Sequence, residues 1–560
     1  MKPVPLPVVR AKPPLLLEVD LSRGLADAPP TDPVSALRRR HLPLLSDTVA
    51  GLRRAIDDGD VAGVVLLVGK GPASVAQAEE LGAALAAVAA SGKSTVAFAE
   101  SFGEAGPGTI PYYLAVHCDQ VWLQPSGSVS FTGVALDVTL LRGLLDKVGA
   151  RPMVGQRHEF KSAADALTRT ELTEPHREMT QRLADSVVEQ VQATVARNRR
   201  LTATAVAAAM AAAPLPATEA VTRGLVDRLG YRDEVYADLR GRLGHGDELR
   251  LLFAHRYAKK QAARPVEQAR ARRRPVVAVV PIRGAIASGR SRPGGLTGPV
   301  AGSDSVGAVL RQLHDDDAVR AVVLHIDSPG GSYVASDAIR RSVLALRDTG
   351  RPVIAAMGRV AASGGYFVAM PAERIVALPS TLTGSIGVLA GKIVVHETLA
   401  RLGVNRETIS SGPQAEMFST NLPYDDNQWQ RLQDWLDAVY ADFTSKAAAD
   451  RGMPLGQLEP LARGRVWTGA DALERGLIDA LGGLEHAIRL ASRLAGLQRN
   501  AVQVRRPHAG WKDRIRPPQS TDSPAAAAAY SYLSPSEELL RLLGAPGTGV
   551  LSLPWDLRLH

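Results

Sequence analysis

Short apolar runs alternate with amphipathic segments along most of the chain. Between residues 275 and 378, the runs VVAVVPI, AVVLHID, VIAAMG and RIVAL are almost continuously apolar, as in strands that are covered on both faces. The segments that separate them, SVGAVLRQLHDD, ASDAIRRSVLALRDTG and GGYFVAMPAE, favour helices, and the second ends with a glycine just past its helical residues. This alternation predicts an α/β fold with parallel sheets flanked by helices.

Four segments of the first half recur in the same order in the second half. The offset between matching residues falls only from 258 to 252. The matched pairs are Asp57–Val68 with Asp315–Ile326, Ser91–Lys93 with Thr349–Arg351, Pro125–Val134 with Pro379–Val388, and Ala220–Gly230 with Ala472–Gly482. Such a long period excludes a solenoid and predicts a tandem duplication of one domain.

The duplication and two shifts in composition set the expected domain boundaries. The two copies are expected at 15–236 and 275–490, after an N-terminal segment at 1–14. Residues 237–274 are rich in Lys and Arg and are expected to form a basic linker, with a contact to lipid headgroups as the alternative. Residues 491–560 are expected to form a low-complexity tail with one short amphipathic helix at PSEELLRLL.

Composition and charge narrow the class of protein. The chain is 45% apolar but only 4% aromatic, so its cores are expected to be aliphatic. Its net charge of +9 reflects either an arginine-rich proteome or a surface that faces anionic lipid. Nucleic acid is not an expected partner, because no recognition fold accompanies the charge. The single cysteine, Cys118, excludes an intramolecular disulfide.

The sequence contains no apolar stretch of about 18 residues, the length that a membrane-spanning helix requires. Prolines interrupt the N-terminal apolar runs, and no signal-peptide cleavage pattern follows them. The protein is therefore expected to be cytoplasmic or associated peripherally with a membrane.

A serine lies at a predicted turn between a strand and a helix, in the segment VAASGGYF at 360–367. Ser363 would present its hydroxyl where the N–H groups and the dipole of a helix N-terminus favour negative charge. About thirty residues earlier, Gly330 and Gly331 follow the strand AVVLHI, and their exposed N–H groups suit an oxyanion hole. A lone PGG is usually an ordinary turn, but only the second copy combines it with ASGG, which favours a nucleophile site.

The first copy differs at both of these motifs. When the copies are aligned on Tyr113 and Tyr366, Ile110 lies opposite Ser363, so the first copy has no serine there. The first-copy segment VGKGPASVA also lacks the Pro-Gly-Gly of the second. A nucleophile site is therefore expected in the second copy alone.

The base for this serine is not local in sequence. The first copy has Lys161 in FKSAAD, whereas the matching region of the second copy has no lysine between Lys392 and Lys446. A lysine acts as a base only when burial lowers its pKa, so Lys161 would have to be buried. A triad based on histidine is the alternative, with His396 or His325 as the base.

The motifs together resemble the signal peptide peptidase A (protease IV) family in its long, duplicated form, over about residues 15–490. The matching segments are DSPGGS at 327–332, MGRVAASGGYFVAM at 357–370, PSTLTGSIGV at 379–388, FKSAAD at 160–165 and the two RGLxD segments. The resemblance implies the fold of Clp protease subunits and crotonases, duplicated in tandem. It also implies a serine peptidase with a Ser/Lys dyad, in which the C-terminal copy supplies the serine and the N-terminal copy supplies the lysine.

The resemblance also assigns roles, substrates and partners. It implies Ser363 as nucleophile, Lys161 as general base, Gly330, Gly331 and Gly364 as the oxyanion hole, and Ser385 as the residue that orients the lysine. No metal or cofactor is expected. Expected substrates are hydrophobic peptides, such as cleaved signal peptides, and the expected assembly is a homo-oligomer, a tetramer. Long members of the family often have an N-terminal membrane anchor, which is not expected from this sequence, and Asp327 stands where asparagine is common.

Two other functions stay open from the sequence. A crotonase-like acyl-CoA enzyme would use glycine N–H groups on the same fold, but it would ordinarily place a carboxylate in the site and need no serine. A non-catalytic, membrane-associated scaffold would not need the intact serine motif that the second copy keeps. The sequence also leaves open whether Ser363 and Lys161 pair within one chain or between chains.

Overall fold

The computed structural model describes residues 13–29, 41–243, 249–263, 274–295, 298–498, 502–506 and 551–552. The chain divides into two compact units, each made of discontinuous segments. The first unit comprises Met1–Gly133 and Gln190–Ala269, and the second comprises Val134–Glu189 and Arg270–His560. Residues 1–12 and the helix expected at 535–543 lie outside the described residues.

Most strands are short. The strands are β1 (Leu15–Asp20), β2 (Val61–Leu67), β3 (Ser94–Ala99), β4 (Gln120–Leu123), β5 (Ser128–Val129), β6 (Arg151–Gln156), β7 (Leu215–Pro216), β8 (Arg228–Leu229), β9 (Arg250–Phe253), β10 (Val276–Arg283), β11 (Ala285–Ala287), β12 (Arg292–Gly295), β13 (Gly298–Gly302), β14 (Val319–Ser328), β15 (Gly330–Gly331), β16 (Val353–Ala362), β17 (Arg374–Ala377), β18 (Leu382–Gly384), β19 (Leu389–Val394), β20 (Val466–Thr468), β21 (Ala480–Leu481), β22 (Gln503–Arg505) and β23 (Leu551–Ser552).

Helices alternate with these strands in both units. The helices are α1 (Leu45–Asp57), α2 (Val75–Ala90), α3 (Thr109–Ala115), α4 (Arg142–Lys147), α5 (Asp165–Thr168), α6 (Glu174–Arg199), α7 (Ala203–Ala212), α8 (Ala217–Thr222), α9 (Arg232–Leu243), α10 (Ala254–Ala262), α11 (Ser303–His314), α12 (Tyr333–Arg347), α13 (Gly364–Ala369), α14 (His396–Arg401), α15 (Asp426–Arg451), α16 (Leu455–Leu458), α17 (Gly469–Glu474) and α18 (Leu484–Leu494). Two 3₁₀ turns, Ser162–Ala164 and Glu459–Leu461, precede α5 and follow α16.

The first unit is built on a parallel sheet of six strands in the order β8-β4-β3-β2-β1-β9. Apolar residues of its strands, among them Leu16, Val65 and Phe98, pack with Val235 and Leu239 of α9. Two elements occupy the stretch expected as a basic linker. Strand β9 adds to β1 as an edge strand, and α10 buries its apolar face.

The second unit has a larger sheet in the order β20-β18-β16-β14-β10-β22, to which β17 adds beside β16 and β21 beside β17. Its strands are parallel except for the pairing of β18 with β20. Alternate residues of β10 enter different cores: Val276 and Val280 pack with α12, and Val277 and Val279 pack with α18. Because helices cover both faces, almost every position of these strands is apolar.

The α/β fold with parallel sheets flanked by helices, predicted from the hydrophobic pattern, is confirmed in both units. All seven elements predicted between residues 275 and 378 are present. Strands β11, β12, β13 and β15 were not predicted in this range, and α13 ends at Ala369, four residues before the predicted end. Pro371 lies just beyond this end and has no N–H group with which to continue the helix.

The alignment that places Ile110 opposite the nucleophile is wrong. Tyr112 donates its hydroxyl to Leu225 O at 2.8 Å, and Tyr366 donates to Leu477 O at 2.9 Å, so these tyrosines correspond. The doublet Tyr112-Tyr113 made the sequence match ambiguous. Counted from these tyrosines, Thr109 and not Ile110 lies opposite Ser363. The backbone at the helix start instead matches Gly108 with Ser363, because each is the N-cap and their N–H groups donate to Ser130 O and Gly384 O.

Thr109 is itself buried, and its hydroxyl oxygen accepts the N–H of Gly133 at 3.0 Å. The first copy thus has a hydroxyl within one residue of the matching position, and Pro111 lies in the first turn of its helix where the second copy has a glycine pair.

Among the described residues, no helix is both long and apolar enough to cross a membrane.

The corresponding tyrosines should contribute similarly to stability. Replacing Tyr112 or Tyr366 with phenylalanine leaves a buried carbonyl without its donor, which costs about 1–3 kcal/mol. We expect Tyr112→Phe and Tyr366→Phe each to lower the urea midpoint of unfolding. Tyr231→Phe, at a tyrosine that is 51% exposed, is the matched control and should leave the midpoint unchanged. An unchanged midpoint in either buried variant would contradict the correspondence.

Candidate active site

Ser363 lies between the end of β16 and the start of α13, as the strand–turn–helix pattern predicts. Its side chain is completely buried, and its N–H donates to Gly384 O at 2.8 Å. The backbone has φ 54° and ψ −115°, a region that non-glycine residues rarely occupy. Strained backbone of this kind concentrates at functional sites, and here it fixes the direction of the hydroxyl.

The amine of Lys161 lies 2.8 Å from the hydroxyl oxygen of Ser363, although 202 residues separate them in sequence. The same amine lies 3.0 Å from Ser385 Oγ and 3.2 Å from Ser385 O. The structure therefore brings together three of the residues singled out from the sequence. Both serine and lysine belong to the second unit of one chain.

Burial changes the chemistry of this lysine. Lys161 is only 1% exposed, and desolvation lowers the pKa of its amine to about 7. Its hydrogen-bond partners are neutral oxygens, so no carboxylate among them offsets the cost of burying the charge. At neutral pH a large share of the amine is therefore unprotonated and able to accept the serine proton.

Strand pairing holds the segment that carries Lys161. Strand β6 lies antiparallel to β19 over six residue pairs, from Arg151 opposite Val394 to Gln156 opposite Leu389. Arg157 continues the ladder by donating its N–H to Val388 O at 3.0 Å. Lys161 follows four residues later, so a two-stranded sheet within the second unit places it.

A buried ionisable pair supports the turn after Lys161. His176 Nδ1 lies 3.1 Å from Asp165 Oδ2, and both side chains are almost fully buried. Asp165 begins α5, four residues after the lysine, and His176 lies in the first turn of α6. The contact therefore ties the lysine turn to the long helix. Beyond the Asp of FKSAAD, no sequence motif pointed to this pair.

Helix α6 is in turn attached to the region around β20 and α17. Arg182 donates to both carboxylate oxygens of Asp471, at 2.7 and 3.0 Å, and the Asp471 side chain is only 3% exposed. One turn further along, Ser186 Oγ lies 2.7 Å from Thr468 Oγ1. Arg–carboxylate pairs with two parallel bonds are geometrically specific, so this contact fixes the helix in direction as well as distance.

Two glycines allow the backbone to approach the lysine closely. A Cβ atom at Gly464 would lie 2.5 Å from the Cβ of Lys161, and one at Gly387 would lie 3.3 Å from its Cδ. Gly464 also has φ 82°, which a larger residue would adopt only with strain. These glycines close the pocket around the aliphatic part of the lysine and help keep water from it.

The glycine pair after β14 lies beside the start of α13. A Cβ atom at Gly364 would lie 3.1 Å from both Gly330 Cα and Gly331 N. The N–H of Gly330 donates to Ser328 Oγ at 3.1 Å. Asp327 accepts the N–H of Val360 at 3.3 Å, so its carboxylate links the end of β14 to β16.

The histidines considered as alternative bases make other contacts. His396 Nδ1 lies 3.0 Å from Asn421 Oδ1. His325 lies on β14, where its Nδ1 is 3.4 Å from a guanidinium nitrogen of Arg283. Burial lowers the pKa of His325 to about 3. The hydrogen-bond partner that Ser363 Oγ has among the described residues is Lys161.

Comparison with known proteins gives a consistent set of relatives. A model of the family described as Peptidase family S49 matches the chain twice, over residues 87–244 and 345–498. Protease 4 of Salmonella typhi is 31% identical over 471 residues, which cover 81% of this chain and 72% of that protein. Serine protease SPPA, chloroplastic, of Arabidopsis thaliana is 31% identical over 481 residues, covering 84% and 69%. The putative signal peptide peptidase SppA of Enterococcus faecium is 32% identical over 179 residues, covering 32% and 52%.

The reactivity of Ser363 should follow the protonation of Lys161. Below pH 7 the amine is protonated and cannot accept the serine proton, so labelling by a fluorophosphonate should slow about tenfold per pH unit. Above the lysine pKa of about 7, the rate should level off. The measurement is the labelling rate between pH 5 and 9, with Lys161→Met as the control that should lose the inflection. A midpoint near the ordinary lysine pKa of 10.5 would contradict the effect of burial.

Proposed function

The chain belongs to peptidase family S49, and on that premise we propose that it hydrolyses peptide bonds with Ser363 as nucleophile and Lys161 as general base. Family membership makes the protein a serine peptidase with peptide substrates. The roles of the individual residues are the proposal, and one observation carries it. A buried lysine amine with a pKa of about 7 lies 2.8 Å from a buried serine hydroxyl.

The proposed reaction has two halves. The neutral amine of Lys161 takes the proton of Ser363 as Oγ attacks the carbonyl carbon, which gives a tetrahedral intermediate. The protonated amine then donates this proton to the leaving nitrogen, the peptide bond breaks, and an acyl-enzyme remains. In the second half, Lys161 takes a proton from water, the resulting hydroxide attacks the ester, and the proton returns to Ser363.

The oxyanion of the intermediate needs N–H donors near Ser363. Gly364 begins α13, and the first N–H groups of a helix have no partner within the helix. Gly331 N lies close to Gly364, whereas the N–H of Gly330 donates to Ser328 Oγ. Of the three glycines predicted for the oxyanion hole, we therefore assign the N–H donors to Gly331 and Gly364. We assign to Gly330 the close approach of β15 to the start of α13. Each oxyanion-hole donor contributes about 3–4 kcal/mol to such a step.

We assign Ser385 to orienting the lysine. Its hydroxyl and its carbonyl oxygen both lie within hydrogen-bond distance of the amine, and its backbone has φ 49°. Two contacts from one residue restrict the rotation of the amine, which leaves its lone pair directed at Ser363. This assignment rests on geometry and makes Ser385 a positioning residue.

The proposed substrates are extended apolar peptides, such as the remnants of cleaved signal peptides. The support is the similarity to the putative signal peptide peptidase SppA of Enterococcus faecium and the apolar surroundings of the site, where Phe160, Met179 and Leu183 pack with Val466. The acyl-CoA enzyme and the non-catalytic scaffold, which the sequence left open, are both less favoured by membership in a peptidase family.

We also propose that the protein assembles as a homo-oligomer, a tetramer. The second unit exposes large apolar side chains in a short stretch: Leu402 is 74% exposed, Phe418 is 76% exposed, and Ile409 is fully exposed. Exposed apolar residues that cluster in this way commonly mark an interaction surface. Peripheral contact with an anionic membrane surface is a further proposal, supported by the net charge of +9.

Loss of either dyad residue should abolish hydrolysis. Ser363→Ala and Lys161→Met should each lower kcat/KM for an apolar fluorogenic peptide by at least about a thousandfold. Lys392→Met is the matched control, because this lysine is also buried but donates to Met417 O at 2.9 Å. It should retain activity within a few-fold. Full activity in either dyad variant would overturn the assignment.

Mixing the two inactive variants should not restore activity, since Ser363 and Lys161 lie in the same unit of one chain. The measurement is the peptidase rate after Ser363→Ala and Lys161→Met proteins are unfolded together and refolded. Recovery of about a quarter or more of the wild-type rate would mean that the dyad forms between chains.

The exposed apolar stretch should govern self-association. Replacing Ile409 and Phe418 together by aspartate puts charge on this surface and should shift the protein toward smaller species in sedimentation velocity. Tyr231→Asp, a charge introduced at an exposed aromatic of the first unit, is the control and should leave the sedimentation coefficient unchanged. Equal sedimentation of all three proteins would place the assembly surface elsewhere.

A further inference from the structure

A small sheet in the second unit contains the glycine pair that lies against Gly364, next to the nucleophile. Its strand order is β12-β13-β11-β15-β23, so β15 has one neighbour on each side. On one side Gly331 pairs in parallel with Ile286 of β11. On the other side β15 pairs with β23, which consists of Leu551 and Ser552 near the C-terminus of the chain.

The edge of β15 that β23 covers is where a peptide substrate would add. Gly330 and Gly331 lie against Gly364, the residue after the nucleophile. A strand edge presents unpaired N–H and C=O groups, and proteins commonly bind extended peptides by pairing them with such an edge. The two glycines carry no side chains that would hold a peptide backbone away from it.

Strand β23 pairs with this edge as such a peptide would. The pairing is antiparallel, with Gly330 opposite Ser552 and Gly331 opposite Leu551. The surrounding sequence, Gly549-Val550-Leu551-Ser552-Leu553, is apolar and uncharged, the chemistry proposed for the substrates. Residues 506–550 connect it to β22, and at up to about 3.3 Å per residue this length of chain can reach any point on a domain of this size.

We propose that the segment around Leu551–Ser552 is an intramolecular ligand of the active site, which a peptide substrate must displace before it can bind. This inference rests on the proposed function, because it takes the β15 edge to be the place where substrate adds. A tethered segment acts at an effective concentration of about a millimolar, so even a weak pairing is occupied much of the time. Occupation of this kind raises KM and leaves kcat unchanged.

The test disrupts the pairing in the full chain. Neighbouring residues of a strand direct their N–H groups to opposite sides, so Leu551→Pro combined with Ser552→Pro removes whichever donor faces β15. The matched control is Ala527→Pro combined with Ala528→Pro, which places the same two prolines elsewhere in the tail. Intact mass is measured first, so that each protein is known to retain its C-terminus.

In the active protein, the 551–552 variant should lower KM for an apolar peptide about two- to tenfold without a change in kcat, given a millimolar effective concentration. The 527–528 variant should match the wild type. Equal KM values in all three proteins would overturn the inference. Trimming of the tail in the wild type that Ser363→Ala prevents would also overturn it, because the segment would then be a substrate and not a lasting ligand.

A second experiment tests the same inference without depending on hydrolysis. In a Ser363→Ala background, a labelled peptide with the sequence of residues 547–555 should bind more tightly to the 551–552 variant than to the 527–528 variant, by fluorescence anisotropy. Equal binding, or none, contradicts the intramolecular ligand. If the peptidase assay fails but this difference is present, the proposed function fails and the inference about the β15 edge stands.

Discussion

The amine of Lys161 is held out of water next to a serine hydroxyl, and the rest of the second unit is arranged to make that possible. Keeping the pKa near 7, when an exposed lysine has 10.5, costs the fold on the order of 4–5 kcal/mol at neutral pH. This loss of folding stability has its full size below pH 7. It decreases as pH rises toward 10.5, because the lysine of the unfolded chain then also loses its proton. Packing, strand pairing and ion pairs elsewhere in the unit have to offset it.

Those contacts come from a segment that belongs by sequence to the first copy. Residues 134–189 supply β6, the lysine turn and the first half of α6, and all of these lie in the second unit. Two ionisable pairs support this segment, Asp165–His176 and Arg182–Asp471. In each pair at least one partner has an almost fully buried side chain. Breaking a buried pair by removing one partner leaves an unpaired charge, so each contact resists local opening around the lysine. The position of the amine is thus set by the whole segment and not by the lysine alone.

Features of the fold and the site that are encoded in short, local motifs could be predicted from the sequence. The strand–turn–helix around Ser363 and the glycine pair at 330–331 were readable from short motifs, and the structure places them side by side. Lys161 has no local signal that separates it from a surface lysine, and it was identified only by comparing the two copies and by the family resemblance. The error in placing Ile110 opposite Ser363 arose because two adjacent tyrosines of the first copy can each be matched to Tyr366. The assignment of 134–189 to the second unit, and the pairing of β15 with β23, depend on contacts between residues far apart in sequence, for which periodicity and propensity give no information.

The pairing of β6 with β19 also bears on the order in which the enzyme is made. β19 follows β6 by more than 230 residues, so β6 has no strand partner when it leaves the ribosome. At about 5–20 residues per second, that interval lasts roughly ten to fifty seconds. Until then β6 cannot hold the lysine out of water, and Ser363 itself is synthesised only 26 residues before β19 begins. A nascent chain that ends before β19 therefore lacks the strand pairing that places the lysine, so more than two thirds of the chain must be made before the peptidase site can form.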